Sequence, residues 1–254
     1  MSDAVTLTVA TPPTQSLLAD CVTADRFAAL SEQEIAGLPV IHGGRRATLG
    51  DFFRVRGERS SVVRLDGDLR KMEGIGAGMA GGELVVDGSV GRDLGRAMAG
   101  GRIDVHGSAG ENAGGALPGA ARGMTGGEIV IRGDAGAQAG AAARRGLIVV
   151  TGDAGPQAAR GMIAGTVVVF GRAGPGAGRF LKRGSIVALG AIERPATFGY
   201  ACTYRPPYVA LLLRYLRARY GLAIADRQVT GRYERHAGDL AELGRGEILQ
   251  WVAE

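Results

Sequence analysis

The chain has 254 residues, of which 46% are hydrophobic and 44 are glycine, about 17% against a usual level of about 7%. That length supports a sizeable core in one or two domains; the missing Gly-X-Y period excludes collagen, and the hydrophobic share excludes disorder. The net charge of +5 is spread along the chain without interleaved aromatics, which argues against a nucleic-acid partner. Nearly all the positive charge is Arg, with Lys71 and Lys182 the only lysines, a bias expected of a GC-rich bacterial genome. Cys21 and Cys202 stand far apart with no ligand-spaced Cys or His, so neither a disulfide framework nor a metal site is expected. There is no basic-then-apolar leader, and the aliphatic run Val209 to Leu213 is too short to span a bilayer. A cytoplasmic protein without a membrane partner is expected.

Residues 1–60 do not repeat and form the first expected segment, an N-terminal cap. Val5 to Val9 alternates like a short strand and is stopped by Pro12 and Pro13. Ser31 with Glu34 makes a capping box that opens a short helix ended by Gly37 and Pro39. Leu38 to Ile41 and Phe52 to Arg56 read as strands flanking a turn at His42, Gly43 and Gly44.

Residues 61–190 repeat, and form the second segment. Six apolar runs are closed by glycines in the same way, at Gly88, Gly107, Gly133, Gly152, Gly171 and Gly190, preceded by a worn copy ending at Gly67. The spacings are 21, 19, 26, 19, 19 and 19 residues, the 26 being 19 plus a seven-residue insertion at Ala116 to Arg122. A period of about 20 residues over seven copies is a solenoid signature. In each run, pairs two apart such as Leu84 and Val86 or Ile148 and Val150 point to one face and are expected to stack as an interior ladder. The positions between them begin polar, at Glu83, Asp87, Asp104 and His106, and become apolar at Val149, Val168 and Val187. An apolar outer face of this kind must be covered by the tail or by a partner.

Met79, Met98, Met124, Ala143, Met162 and Leu181 lie three residues before the strand-opening glycines and read as core filler. A Gly-x-x-Gly-x-x-x-Gly phrase follows Gly88, Gly107, Gly133 and Gly171 whole, with Ala159 in place of the last glycine after Gly152 and Arg70 in place of the middle one after Gly67, and a column of Val90, Ala109, Ala135, Ala154 and Ala173 lies inside it. Glycine gives the positive φ and tight corners a short repeat needs. At about 3.3 Å per residue, 19 residues make a perimeter of at most ~60 Å, enough for one closed coil. The step does not fit hexapeptide repeats, so the expected fold is all-β, a right-handed parallel β-helix of about seven coils with an N-terminal cap and a C-terminal helix. Residues 191–254 are the third segment. Pro206 to Tyr220, with Gly221 beyond it and late arginines, reads as an amphipathic helix able to cover the apolar outer columns, followed by a loop from Tyr233 and a strand from Gly244 to Leu249.

No catalytic constellation emerges. Each glycine phrase resembles a dinucleotide-binding turn, but the next strand begins too soon for the helix such a turn must open. His42, His106 and His236 are too scattered for a metal cluster, and no Ser, Cys or Thr nucleophile stands beside a base. Asp68, Asp134 and Asp153 follow closing glycines and read as turn residues; His106 reads as a surface residue. The arginines Arg144, Arg145, Arg160, Arg172, Arg179 and Arg183 form a solvated face or dock on an acidic partner. No catalytic, metal or cofactor-binding residue is assigned, and the closing glycines are structural.

The repeats resemble the Gly-x-Gly-x-Gly domain of glutamate synthase and of the C subunit of formylmethanofuran dehydrogenase. Asp25 to Phe27, Leu30 to Ile35, Leu38 to Val40, Leu49 to Phe53, Gly238 to Leu240 and Gly244 to Leu249 resemble the sequences of that C subunit in order, over nearly the whole chain. In methanogens it serves a molybdenum or tungsten enzyme with iron–sulfur partners. A similar subunit in methylotrophs serves the formyltransferase/hydrolase complex, which carries formyl-tetrahydromethanopterin through formylmethanofuran to formate during formaldehyde oxidation. The Arg bias favours the second. The resemblance implies a non-catalytic structural subunit with no cofactor of its own, methanofuran and tetrahydromethanopterin being substrates of the complex. Its partners would be an amidohydrolase-like hydrolase subunit holding the metal, a formyltransferase and a dehydrogenase-B-like subunit. The alternatives are the redox dehydrogenase, or a binding module whose arginines hold the acidic tail of methanofuran.

Overall fold

The structure is a computed structural model describing residues 4–253, so the outermost ends of the first and third expected segments lie outside the described residues. It is mostly β, with one 12-stranded mixed sheet, a 4-stranded sheet and four α-helices among the described residues. In chain order the elements before the repeat are β1 (Val5–Val9), β2 (Leu17–Leu18), α1 (Ala24–Phe27), α2 (Glu32–Ala36), β3 (Pro39–His42), β4 (Arg45–Thr48) and β5 (Phe53–Arg56). The repeat holds β6 (Val62–Asp66), β7 (Met72–Glu73), β8 (Glu83–Asp87), β9 (Arg102–Val105), β10 (Glu128–Ile131), β11 (Leu147–Val150), β12 (Thr166–Val169) and β13 (Arg183–Ala188). The tail holds β14 (Gly199–Tyr204), α3 (Pro207–Tyr220), α4 (Asp226–Thr230), β15 (Tyr233–Gly238) and β16 (Arg245–Trp251).

Strands β6, β8, β9, β10, β11, β12 and β13 pair in parallel, each with the next, in the register set by the glycine period. Ile103, Ile129, Ile148, Val167 and Ile186 therefore meet in line and are buried, as are the six residues expected to fill the core before each opening glycine. Each fully buried aliphatic side chain stabilises by about 1.5–3 kcal/mol. The small-residue column extends at both ends, running from Leu69 through Val90 and the four alanines to Ile192 as parallel bridges. A third ladder forms at the last glycine of each phrase: Gly95, Gly114, Gly140 and Gly178 donate N–H to the carbonyls of Ile75, Leu94, Ala113 and Ala158, whose side chains are buried.

The closing glycines differ in why they must be glycine. Gly67 and Gly88 have positive φ, whereas Gly107 and Gly171 do not; a Cβ on either would stand 2.7 Å from the carbonyl oxygen of the glycine one repeat earlier. Close stacking, more than backbone handedness, demands glycine there.

Each end of the stack gains one more parallel strand from outside the repeat, β1 on β6 and β16 on β13. Antiparallel strands then close each end, β5 on β1 at one and β15 on β16 with β14 outermost at the other. Three sequence expectations need correction here. The turn at His42 to Gly44 joins β3 to β4 and not to Phe53–Arg56, because Arg45–Thr48 is a two-faced polar strand without apolar alternation. Tyr233–Gly238 is a strand, not a loop: only Tyr233, His236 and Gly238 are buried, so its charged positions hide the period. The region after Ala191 also contains β14, whose exposed residues give no core signal. The capping box at Ser31 is formed, with the Ser31 N–H donating to Glu34 Oε2 at 2.8 Å and the Glu34 N–H donating to Ser31 Oγ at 3.4 Å.

α3 lies on the outer face of the sheet. Val209, Leu213, Leu216 and Tyr220 recur at helical spacing and cluster with Val130, Val149, Val168, Val187 and Leu249, the outer positions that turn apolar along the repeat. Pro206 is the N-cap and Gly221, at φ 64°, ends the helix in the left-handed region. The tail therefore covers the apolar columns itself. No helix among the described residues is long and apolar enough to cross a membrane.

Candidate functional site

Where the outer columns are still polar, the sheet carries a network reaching α3. Asp104 on β9 accepts two hydrogen bonds from the Arg132 guanidinium, at 2.9 and 2.8 Å, and the same guanidinium donates to the Tyr220 carbonyl at 2.9 Å. A cation thus satisfies a carbonyl at the end of the helix, where the macrodipole is negative. Beside it, Tyr215 donates to Glu128 at 2.8 Å, and Tyr220 donates to the same carboxylate. Burial, then the bond to Glu128, pushes the Tyr220 phenol well above its ordinary pKa, so it remains a donor. Arg102 and Arg219 both reach Glu83. Sequence reasoning missed this network. The repeat period places Asp104 opposite Val130, two residues from Arg132, but nothing in the sequence sets the C-terminal end of α3 over that part of the sheet.

The three histidines remain separate. His106 Nδ1 lies 2.6 Å from the exposed Asp87, and Nε2 lies 3.8 Å from Asp104. His42 meets Thr14, Gln15 and Phe52. His236 is buried beside Tyr200, with Nδ1 unpartnered among the described residues. Among the described residues no group of three or more His, Cys, Asp or Glu is placed to hold a metal ion. Cys21 is buried, and burial pushes its thiol up to about 11; Cys202 is exposed on β14.

The turn carboxylates bond across the stack. Asp134 accepts the Asp153 N–H at 2.8 Å, and Asp153 accepts the Arg172 N–H at 2.7 Å. Ser89 and Ser108 do the same for Ser108 and Asp134 one step earlier. Asp68 instead pairs with Arg70, whose hydrogen bonds hold its pKa down to about 2.

One cavity of about 660 Å³ lies under the insertion, lined by Leu117, Pro118 and Gly119 together with Asp93, Glu111, Asn112, Arg160 and Lys182. Its charges are mixed. Along its floor Asn112 donates to Asp93 at 2.6 Å, and Gln138 donates to Gln157 at 3.3 Å. Arg160 and Arg179 both approach the Phe180 ring, at 5.8 and 5.0 Å. Arg144, Arg145 and Arg183 are exposed at the entrances of β11 and β13.

The fold and this site define a class: a glycine-rich stack of in-register strands whose polar contacts bind the chain to itself. No family model matches the chain. A chain in the crystal structure of the formyltransferase/hydrolase complex (FhcABCD) from Methylorubrum extorquens, in complex with methylofuran, is 33% identical over 98% of this chain and 100% of that one, with a TM-score of 0.80. The C subunit of the molybdenum-containing formylmethanofuran dehydrogenase 1 of Methanothermobacter marburgensis is 35% identical over 80 residues, 31% of this chain and 20% of the relative. The C subunit of the tungsten-containing formylmethanofuran dehydrogenase 2 of Methanothermobacter wolfeii is 35% identical over 91 residues, 34% of each. The chain spans about a fifth to a third of the length of the curated relatives it matches. It belongs to the family of formylmethanofuran dehydrogenase C subunits.

Proposed function

We propose that this chain is a non-catalytic structural subunit of a formyltransferase/hydrolase complex that carries formyl-tetrahydromethanopterin, through formylmethanofuran, to formate in methylotrophic one-carbon metabolism. The observation that carries this reading is the end-to-end likeness to a chain of such a complex, at 33% identity and a TM-score of 0.80. The chain is a right-handed β-helix of about seven coils, with residues 1–60 and 191–254 as its caps and Gly88, Gly107, Gly133, Gly152, Gly171 and Gly190 as coil glycines. The three in-line ladders per repeat support that architecture. Its partners are an amidohydrolase-like subunit holding the metal, a formyltransferase and a dehydrogenase-B-like subunit, and the complex is cytoplasmic.

The likeness to the curated dehydrogenase subunits favours a second reading, a redox formylmethanofuran dehydrogenase. Affinity purification of the full-length tagged chain from its own cells, with identification of the bound chains and metals, separates the two. Formyltransferase and hydrolase chains without molybdenum or tungsten are expected. A molybdenum- or tungsten-bearing, cluster-bearing partner would favour the redox complex, and a lone chain with full hydrolase activity would end both readings.

A further inference from the structure

α3 has two apolar faces, and the fold accounts for only one. Val209, Leu213, Leu216 and Tyr220 are buried against the sheet. Tyr208, Leu211 and Tyr215 follow one another at spacings of three and four, the spacing of a single helix face, and are 38%, 65% and 40% exposed. Both tyrosines are tethered at their hydroxyls, Tyr208 to Glu247 at 3.4 Å and Tyr215 to Glu128 at 2.8 Å. Leu211 therefore stands on the same helix face between two tyrosines anchored at their hydroxyls. A single exposed leucine is ordinary. A leucine within a ridge of tethered tyrosines has the composition of an interface centre, where rigid aromatics present large area at little entropic cost.

Beside this ridge stands a rank of arginines. Arg183 and Arg245 are direct partners across the parallel pair of β13 and β16, two residues before Ser185 and Glu247, and Glu247 receives Tyr208. Arg145 holds the equivalent place before β11, since Leu147 is in line with Ser185 through Thr166. Like charges in register on neighbouring strands repel. All three arginines are exposed and have no ion pair among the described residues, while Glu247 is already engaged by Arg235 at 2.7 Å. The fold thus leaves a repulsion that an external anion would relieve.

We infer that the α3 ridge and this arginine rank form one docking surface for a protein partner that offers an apolar hollow rimmed by carboxylates. A second copy of this chain does not fit, because each copy carries a net +5 and would bring the same arginine rank. The inference rests on the reading of the chain as a subunit and names the surface by which it joins.

The test titrates full-length chain onto the remaining subunits of the complex, purified without it. Wild type is compared with Leu211→Asp and with the double variant Arg183→Glu, Arg245→Glu. Each variant is expected to bind about 10-fold more weakly or worse. Thermal midpoints should stay close to wild type, because the altered side chains are exposed. The double variant should also lose much of the salt dependence of binding. Equal binding by all three proteins would overturn this inference alone, and a wild-type chain that does not join would remove the subunit reading with it. Leu211→Asp converting a dimer of the isolated chain to monomer, with binding unchanged, would assign the ridge to a second copy instead.

Discussion

At the scale of single residues, glycine serves different needs at positions that look alike in the sequence. Gly107 has an ordinary φ, yet its missing Cβ lets it lie against the Gly88 carbonyl. Gly81 also has an ordinary φ, and a Cβ there would meet nothing within 4 Å. Gly107→Ala should therefore force one repeat away from the next and cost about 1–3 kcal/mol, the range for overpacking a tight site. Gly81→Ala should be neutral or stabilise by about 0.4–1 kcal/mol, because it removes only unfolded-state freedom. Chemical denaturation of the two variants, with equal m-values as the check on two-state behaviour, would show opposite signs. The period marks Gly107 as a closing glycine and gives Gly81 no role. The approach to the Gly88 carbonyl oxygen that demands glycine at 107 has no trace in the sequence.

At the scale of elements, α3 is held by packing along its length and by Arg132 at its end. Leu213 is fully buried between the helix and the outer valines. Leu213→Ala should cost about 2–5 kcal/mol as a large-to-small core change. Arg132→Ala removes the Tyr220 carbonyl's donor and leaves the half-buried Asp104 without its guanidinium, for a loss of about 1–3 kcal/mol. In hydrogen exchange, α3 amides should lose protection before those of β10 to β13 in either variant; uniform loss across the sheet would mean that helix and stack unfold as one unit. This element was largely legible. Its proline start, glycine end and apolar face stand in the sequence, as does the drift of the outer columns from Glu83 to Val187 that requires a cover. Strands β14 and β15 were not legible, since their pairing is antiparallel and their residues, apart from Tyr233, His236 and Gly238, are not buried.

At the scale of the whole molecule, both ends of the stack are closed by strands from outside the repeat, and the C-terminal closure carries the titratable groups. The period marks seven rungs; the strands β1 and β16 are legible in the flanking segments, but their parallel pairing onto the first and last rungs leaves no mark in the sequence. Asp239, beside the closing strands, is buried; burial would raise its pKa, but hydrogen bonds to it, including those from the Phe180 and Ala241 N–H groups, hold it below the ordinary carboxylate value. Its contribution is present above the unfolded pKa of 3.8 and is lost only in stronger acid. His236 behaves in the opposite sense. Burial first, then the charge of Arg194, holds its pKa below 6.5, and Glu234, 3.9 Å away, offsets this only in part. The neighbouring Tyr200 ring adds no charge. The folded protein accommodates the neutral ring, while the unfolded chain takes up a proton near pH 6.5, so below that value the unfolded state binds more protons. Stability should be full above pH 6.5 and decline as pH falls from there toward the lowered folded pKa. His236→Phe should flatten the thermal midpoint between about pH 7 and pH 5 while leaving the steeper acid limb near pH 3 to 4 in place. A wild-type midpoint that is already flat across that upper window would show that the closing strands admit the charged ring.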